Sequence, residues 1–174
     1  MIFNPRTALF EALLPKQPHR TLVRYRVRAA DASPAALESA APRAGDPEPN
    51  FAYFVYDGIP SYTANVQSHF GPAGFVHMGL EKLPVYHMIG NGDDMRDAQY
   101  VIRDWQDDTY RWLVTIVYYW VDPAGGTVEI RVHDHVQMRL KGGVHRYHWP
   151  KRGWKLKFNR GNYFSGRFND GEPY

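Results

Sequence analysis

Residues 127–140, TVEIRVHDHVQMRL, show the most regular alternation of apolar and polar residues in this 174-residue chain. The apolar series consists of Val128, Ile130, Val132, Val136, Met138 and Leu140. The polar series consists of Glu129, Arg131, His133, His135, Gln137 and Arg139. Because successive side chains of a strand point to opposite faces, this period of two predicts a long β-strand with one buried and one polar face.

The segments around this strand extend the β pattern. Residues 110–121, YRWLVTIVYYWV, are apolar on both faces, as expected of a central strand in a two-layer core. Residues 154–158, WKLKF, alternate again, with three apolar side chains inward and two lysines outward. The chain has many short strand patterns separated by turn signals and no βαβ rhythm. These features predict an all-β fold, an antiparallel β-sandwich of jelly-roll type.

One segment at the start of the chain has helical rather than strand character. Asn4 followed by Pro5 is a typical helix start, because Asn caps the first turn and Pro suits its first position. The apolar residues that follow recur at helical spacing: Leu9, Phe10, Leu13 and Leu14. We therefore predict one short N-terminal helix that ends at Pro15.

The length of the chain corresponds to a single domain, which we expect to span residues 1–174. Within it, the segment at about 30–50 is rich in Ala, Pro and small polar residues and has no sustained period. We predict a long loop there.

Charge is distributed unevenly along the chain, whose formal net charge is +3. The segment 136–169 contains nine basic residues and no acidic one. They are Arg139, Lys141, Arg146, Lys151, Arg152, Lys155, Lys157, Arg160 and Arg167. The rest of the chain carries twelve basic and eighteen acidic groups. Aromatic residues are interleaved with the basic ones, so the segment predicts a surface for a polyanion or a sugar, although a solvated basic face has the same composition.

The composition also excludes several classes of site and location. The chain has no cysteine, which excludes disulfides and thiolate metal ligands. Its first residues lack the features of a secretory signal, so both a mature secreted form and a cytoplasmic protein fit, and localisation stays unassigned. No apolar run is long enough to cross a membrane, and we expect no membrane partner. The sequence indicates no particular oligomeric state.

The polar face of residues 129–139 is the first candidate for a ligand site. Side chains two residues apart form one ridge on a strand and can line a groove for an extended ligand. An ordinary solvent face is the alternative interpretation, although it would more often carry Thr, Lys and Glu. With the basic residues that follow in the sequence, the predicted substrate-binding set is His133, His135, Gln137, Arg139, Lys155, Lys157 and Arg160.

His133 and His135 also have the H-x-H spacing with which sheets hold zinc or iron, and His145 or His148 would complete such a set. However, residues 136–140 contain no carboxylate ligand, so we predict no metal and no other cofactor. Aromatic side chains supply candidate stacking platforms for sugar rings or bases. These are Tyr147, Trp149 and Trp154.

Three short segments occur in order along the chain: RTLVR at 20–24, QSH at 67–69 and KFNRGNY at 157–163. Together they resemble the motifs R-T-E-x-R, Q-I-H and F-K-A-G-x-Y of alginate-lyase-like jelly-roll polysaccharide lyases. Leu22 stands at the acidic position of the first motif, Ser68 at the Ile position of the second, and Asn159-Arg160 at the Lys-Ala position of the third. More diffusely, residues 112–136 and 155–167 look like the last strands of concanavalin-like lyases and lectins.

This resemblance implies cleavage of a uronate-containing polysaccharide by β-elimination. Arg24 and Gln67 would neutralise the substrate carboxylate, which lowers the cost of the developing carbanion. His69 or Tyr163 would be the base, and Tyr163 would donate the proton to the leaving oxygen.

The expected partner is accordingly an acidic polysaccharide, and the expected activity that of a polysaccharide lyase. Two alternatives remain open from the sequence. One is a jelly roll that binds carbohydrate or nucleic acid without catalysis, since basic and aromatic residues also suit phosphates and bases. The other is a structural or assembly protein.

Overall fold

A computed structural model of the chain describes residues 1–46, 48–56, 62–64, 73–75, 83–101, 110–122, 128–142, 153–167 and 173. In these ranges the chain forms antiparallel β-sheets and a single short helix. The prediction of a β-rich antiparallel protein is therefore confirmed. No helix in the described ranges is long and apolar enough to cross a membrane.

The largest sheet has four antiparallel strands in the order β12-β11-β10-β9. These strands are β9 (Val85–Gly90), β10 (Trp112–Val121), β11 (Val128–Leu140) and β12 (Trp154–Lys157). As predicted, β10 is buried on both faces, from Val114 to Trp120. It is a central strand, and its apolar side chains supply the core.

A β-bulge divides β11 into two parts. Val136 pairs with Val114 and His133 pairs with Ile116, so Asp134 and His135 together oppose Thr115 alone. An extra residue in one strand moves every following side chain to the other face. The uninterrupted alternation predicted for residues 127–140 is therefore wrong.

The bulge exchanges the predicted faces of β11. One face of the sheet, the helix-covered face, carries Val114, Ile116, His133, Val136 and Met138. The opposite face, the cleft face, carries Leu113, Thr115, Asp134, Gln137 and Arg139. Glu129, Arg131 and His133 thus share a face with Val136 and Met138, which the sequence pattern had assigned to the opposite side.

Helix α1 (Gly92–Tyr100) follows β9 and packs on the helix-covered face through Met95 and Ala98. Its N-cap is Asn91, whose side-chain oxygen accepts hydrogen bonds from the backbone N–H groups of Asp93 and Asp94. An Asn-Gly pair is by itself a signal for a turn at the end of a strand, and Asn91-Gly92 directly follows β9. The cap and the two acidic residues in the first turn are nevertheless a recognised helix start.

The other end of the helix-covered face is covered by the segment 158–167. The ring of Phe164 contacts the rings of Tyr118 and His133. The backbone N–H of Arg167 donates to the Tyr118 hydroxyl oxygen at 2.9 Å, and its side chain pairs with Glu129 at 2.8 Å. These contacts hold the segment across the end of the sheet.

The remaining strands form two-stranded pairs. They are β3 (Thr21–Tyr25) with β6 (Phe51–Val55), β4 (Val27–Ala30) with β5 (Glu38–Ala41), and β7 (Tyr62–Ala64) with β8 (Ala73–Phe75). The β3–β6 pair lies against the cleft face, where Arg24 reaches Asp134 and Tyr56 contacts Tyr119. Strand β5 lies inside the segment predicted as a loop at about 30–50.

The predicted N-terminal helix is wrong, because residues 1–14 contain a β-hairpin formed by β1 (Ile2–Asn4) and β2 (Leu9–Glu11). Asn4 does not cap a helix. Its side-chain amide instead donates to Glu11 at 2.7 Å across the hairpin. Phe3 and Phe10 pair across the strands with ring centroids 5.2 Å apart. A helix of this length is marginal in water, so cross-strand contacts outweigh the helical spacing.

Candidate functional site

The bulge in β11 places a buried carboxylate at the centre of the cleft face. Asp134 is 2% exposed and accepts two hydrogen bonds from Arg24, from Nε at 2.6 Å and from Nη2 at 2.9 Å. Thr115 donates to the same carboxylate at 2.6 Å, and Asn50 donates at 3.0 Å. Residues from β3 and β10, together with the residue that precedes β6, therefore converge on a single acidic side chain.

These contacts keep Asp134 ionised. Burial on its own would raise the pKa of Asp134, but hydrogen bonds from Arg24, Thr115 and Asn50 hold that pKa well below its usual range. The same contact raises the pKa of Arg24, chiefly through the hydrogen bond to Asp134. The two groups therefore form a persistent ion pair, and the negative charge of Asp134 is compensated locally.

The ion pair does not use all donors of Arg24. A guanidinium has five N–H groups, and three are used by Nε and Nη2 in the bonds to Asp134 and Thr115. Nη1 makes no hydrogen bond within the described ranges, and the Arg24 side chain is 51% exposed. Arg24 can hold Asp134 and still present donors to a ligand.

His135 follows Asp134 in the bulge and has a left-handed backbone, with φ of 54°. A residue with a side chain seldom adopts this conformation, and such residues concentrate at functional sites. Its Nδ1 lies 3.1 Å from Asp134 Oδ2. The ring is not oriented for a hydrogen bond, so the contact is an ion pair whenever the imidazole is protonated.

A cleft of about 430 Å³ opens between β3 and the four-stranded sheet beside this cluster. Its lining residues are Leu22, Arg24, Ile89, Gly90, Asn91, Leu113, Val114, Asp134 and His135. Apolar walls with a few convergent polar groups are typical of small-ligand and sugar-unit sites. Arg24, Asp134 and His135 supply the polar groups.

Next to the cleft, four polar side chains form what we call the basic strip: Gln137, Arg139, Lys155 and Lys157. Gln137 pairs with Lys157, and Arg139 pairs with Lys155, across β11 and β12. Cross-strand partners point to the same face and lie about 5 Å apart. Gln137 is also the cross-strand partner of Leu113, a lining residue of the cleft. The strip therefore begins where the cleft ends.

The basic strip gathers four of the seven predicted substrate-binding residues, and His135 lies in the adjacent cleft. His133 does not join them. It is buried on the helix-covered face, where Phe158 and Phe164 contact its ring. The H-x-H pair is thus divided between the two faces, contrary to the sequence interpretation, because the bulge lies between its two histidines.

His133 is a buried imidazole whose two ring nitrogens make no hydrogen bond with the residues that the structure describes. Burial lowers the pKa of His133. The nearby charge of Arg131 lowers this pKa further, and the charge of Glu48 raises it. Asn162 is close enough to influence that pKa, but it does not reach hydrogen-bond geometry with the ring. Burial therefore favours the neutral form of His133, whose ring packs against Phe158 and Phe164.

The turn after β12 supports the bulge from outside the sheet. Asn159 donates a hydrogen bond to the backbone oxygen of Asp134 at 2.9 Å and another to Glu48 at 3.2 Å. Asn162 donates to the same Glu48 oxygen at 2.5 Å. Gly161 has φ of +86°, which a residue with a side chain would adopt only under strain. The NRGN sequence therefore fixes both the turn and the bulge.

Two further predicted residues lie on or after this turn. Arg160 is exposed at the turn, and Tyr163 is 69% exposed. Among the described residues, no hydrogen bond or ring contact joins Tyr163 to Arg24 or to another residue that lines the cleft. The predicted residues Gln67 and His69 lie outside the described ranges, as do His145, His148, Tyr147 and Trp149. Trp154 packs against the apolar cluster of the helix-covered face.

Sequence reasoning missed Asp134, Thr115 and Asn50. A signal for Asp134 was present, because the apolar series Val128, Ile130, Val132 resumes only at Val136. An acid at an apolar position of a strand indicates either a buried, paired carboxylate or a bulge. Here it indicates both.

The described ranges contain no group of three or more His, Asp and Glu side chains that could hold a metal ion. No protein-family model, curated protein or solved structure shows a significant match to this chain. The proposed function therefore depends on the geometry of the cleft face.

Proposed function

We propose that this protein binds an acidic, uronate-containing polysaccharide along the basic strip and in the adjoining cleft. One observation carries this proposal. The side chains of the basic strip lie on the same face of the sheet: Gln137, Arg139, Lys155 and Lys157. Among the strand residues described on that face, Asp134 is the one carboxylate, and Arg24 compensates its charge. The surface therefore presents net positive charge beside a concave site, which suits an extended polyanion.

We propose further that the strands complete a jelly-roll sandwich. The β3–β6 pair would belong to the layer opposite the four-stranded sheet. Its support is the packing of Arg24 and Tyr56 against the cleft face.

Binding is tested with the double variant Lys155→Gln/Lys157→Gln and alginate, polyglucuronate and hyaluronate in calorimetry. Loss of two exposed ionic contacts, each worth up to about 1 kcal/mol, should weaken binding by roughly tenfold. The matched control is Lys16→Gln/Arg28→Gln, which removes two exposed cations from other parts of the chain. Equal affinity of the two double variants would overturn the assignment of the strip.

Nucleic acid is the competing polyanion, and a comparison of the affinities for the two polymers separates it from a polysaccharide. Binding to both ligands should weaken as salt screens the contacts. Single-stranded DNA or RNA bound more tightly than every uronate polymer at equal ionic strength would replace the polysaccharide proposal.

Cleavage by β-elimination is the second candidate function, and the strained His135 beside the cleft favours it. In this reaction a base removes the proton next to the substrate carboxylate, the C–O bond to the neighbouring sugar breaks, and the leaving oxygen takes up a proton. Arg24 Nη1 would hold the carboxylate, and the imidazole of His135 would take the proton. Tyr163 remains the proton donor that the family resemblance implies.

Elimination creates an unsaturated uronate with a new ultraviolet absorbance, which reports turnover directly. His135→Asn should abolish the absorbance change and leave polymer affinity within about twofold, a difference of roughly 0.4 kcal/mol. His19→Asn is the control at a histidine outside the cleft. Full turnover by His135→Asn would remove His135 as the base, and Tyr163→Phe would then test the tyrosine alone.

A further inference from the structure

Three consecutive residues before β6 connect the bulge of β11 to distant parts of the chain. We call them the anchoring segment: Glu48, Pro49 and Asn50. Asn50 donates a hydrogen bond to the Asp134 carboxylate at 3.0 Å, and Arg26 Nε donates one to the backbone oxygen of Pro49. The proline ring fixes its own φ and disfavours a helical backbone at the residue before it. These restraints fix the position of Glu48 relative to the bulge.

Glu48 is the shared acceptor of two side chains from the turn after β12. Its Oε1 accepts hydrogen bonds from Asn159 at 3.2 Å and from Asn162 at 2.5 Å. The same nitrogen of Asn159 also donates to the backbone oxygen of Asp134 at 2.9 Å. A side-chain amide nitrogen has two donors, and Asn159 has an acceptor for each of them. The contact with Glu48 therefore sets the orientation of the amide that holds the bulge.

The backbone oxygen that Asn159 holds belongs to the peptide bond between Asp134 and His135. The orientation of this peptide defines one side of the φ angle at His135, which is 54°. A residue with a side chain keeps such a backbone only where the surrounding structure holds it there. Glu48 is not a lining residue of the cleft, but it is connected to His135 through Asn159 and this peptide.

We propose that Glu48 is a positioning residue of the cleft, which holds the imidazole of His135 in place through Asn159 and the peptide bond that follows Asp134. This inference rests on the proposed function, because it assigns His135 a contact with the bound acidic sugar. Glu48 sets the affinity of the cleft for that sugar without contacting it.

The test compares two replacements of Glu48 in calorimetry with alginate, polyglucuronate and hyaluronate. Glu48→Ala leaves Asn162 and one donor of Asn159 without their acceptor. We expect it to weaken binding of the polymer that the wild type binds by roughly fivefold, or about 1 kcal/mol. Glu48→Gln keeps an oxygen that can accept both bonds, so its affinity should stay within about twofold of the wild type.

Glu11→Ala is the matched control. Glu11 Oε1 also accepts hydrogen bonds from two side chains, Asn4 and Thr7, but it lies in the N-terminal hairpin. Its replacement removes a comparable acceptor away from the bulge, so Glu11→Ala should bind like the wild type.

Nuclear magnetic resonance of the isotope-labelled chain follows the imidazole of His135 without any ligand. The carbon signals of this ring should shift in Glu48→Ala and keep their wild-type positions in Glu48→Gln and Glu11→Ala. A wild type that binds none of the three polymers would contradict the proposed function, and these signals would still decide the role of Glu48.

Asn162→Asp keeps the test decisive if circular dichroism shows that Glu48→Ala does not fold. It sets a second carboxylate against Glu48 and should shift the same His135 signals. The double variant Glu48→Gln/Asn162→Asp should restore them, because the new amide can donate to the new carboxylate.

Three results would overturn the positioning role. The first is a folded Glu48→Ala variant with unchanged His135 signals, and the second is such a variant with the polymer affinity of the wild type. The third is a Glu48→Gln variant that loses as much affinity as Glu48→Ala, because the charge of Glu48, and not its hydrogen bonds to the turn, would then act on the cleft.

Discussion

On the helix-covered face of the four-stranded sheet, Val114, Ile116, Val136 and Met138 pack beneath α1. On the cleft face of the same strands, an ion pair lies beside a cleft and the basic strip lies at its side. The two faces differ because the bulge of β11 changes which residues each face receives. One extra residue thus places Glu129, Arg131 and His133 on the same face as the core residues, and places Asp134 on the cleft face together with Gln137 and Arg139.

The largest expected difference between the faces lies in two adjacent residues of β11. Met138→Ala removes a fully buried side chain from the core cluster and should lower the free energy of unfolding by about 2–5 kcal/mol. Gln137→Ala removes its neighbour on the cleft face and should cost about 0.5 kcal/mol or less. Urea denaturation of both variants measures the contrast. Similar losses would contradict the assignment of faces.

The cleft face should depend instead on its ion pair. Asp134→Ala leaves Arg24, Thr115 and Asn50 without their shared acceptor, and we expect a loss of roughly 2–3 kcal/mol in urea denaturation. Glu38→Ala removes an exposed carboxylate from β5 and should stay within about 0.5 kcal/mol of wild type. If Asp134→Ala is no less stable than Glu38→Ala, the ion pair does not stabilise this face.

A third expected effect depends on pH and lies on the helix-covered face. Burial lowers the pKa of His133, so below about pH 6.5 the unfolded chain takes up a proton that the native chain does not. The free energy of unfolding should therefore fall as pH falls, by at most about 1.4 kcal/mol per pH unit, and level off below the native pKa. The pKa of His87 is also lowered, chiefly by burial. His87 should therefore change the free energy of unfolding with pH in the same direction as His133.

This effect is measured by denaturation curves between about pH 7.5 and about pH 5. The curves are recorded for the wild type, for His133→Leu and for the double variant His133→Leu/His87→Leu. Each replacement should reduce the slope, and the double variant should have the smallest slope of the three proteins. Asp134 does not affect the slope in this pH range. Because its pKa is lowered in the folded protein, its contribution to stability is lost only as the pH falls below its ordinary pKa of 3.8. An unchanged slope in His133→Leu would show that the ring is not neutral when buried.

Strands with a clear period were predictable, and the positions of their side chains were predictable only as far as the period held. The predicted strands are present within residues 110–121 and 154–158. Their pattern of apolar residues was sufficient for the prediction, because burial alone determines which of these side chains face inward. The bulge between His133 and Val136 depends on contacts of Asp134 with Arg24 and Asn50, more than 80 residues distant, which no local pattern reveals. The common face of the basic residues was predictable from the sequence, and the buried carboxylate of Asp134 was not.

Asn91 belongs to both regions, because its side chain caps the helix that covers one face and also lines the cleft on the other. Asn91→Ala removes the acceptor for two backbone N–H groups of α1 and should cost about 1 kcal/mol in urea denaturation. Asn91→Asp keeps a capping oxygen and should remain within a few tenths of the wild type. If both variants lose the same stability, Asn91 acts through its packing in the cleft and not through the cap. The two faces would then be coupled at this residue, and ligand binding in the cleft should change with it.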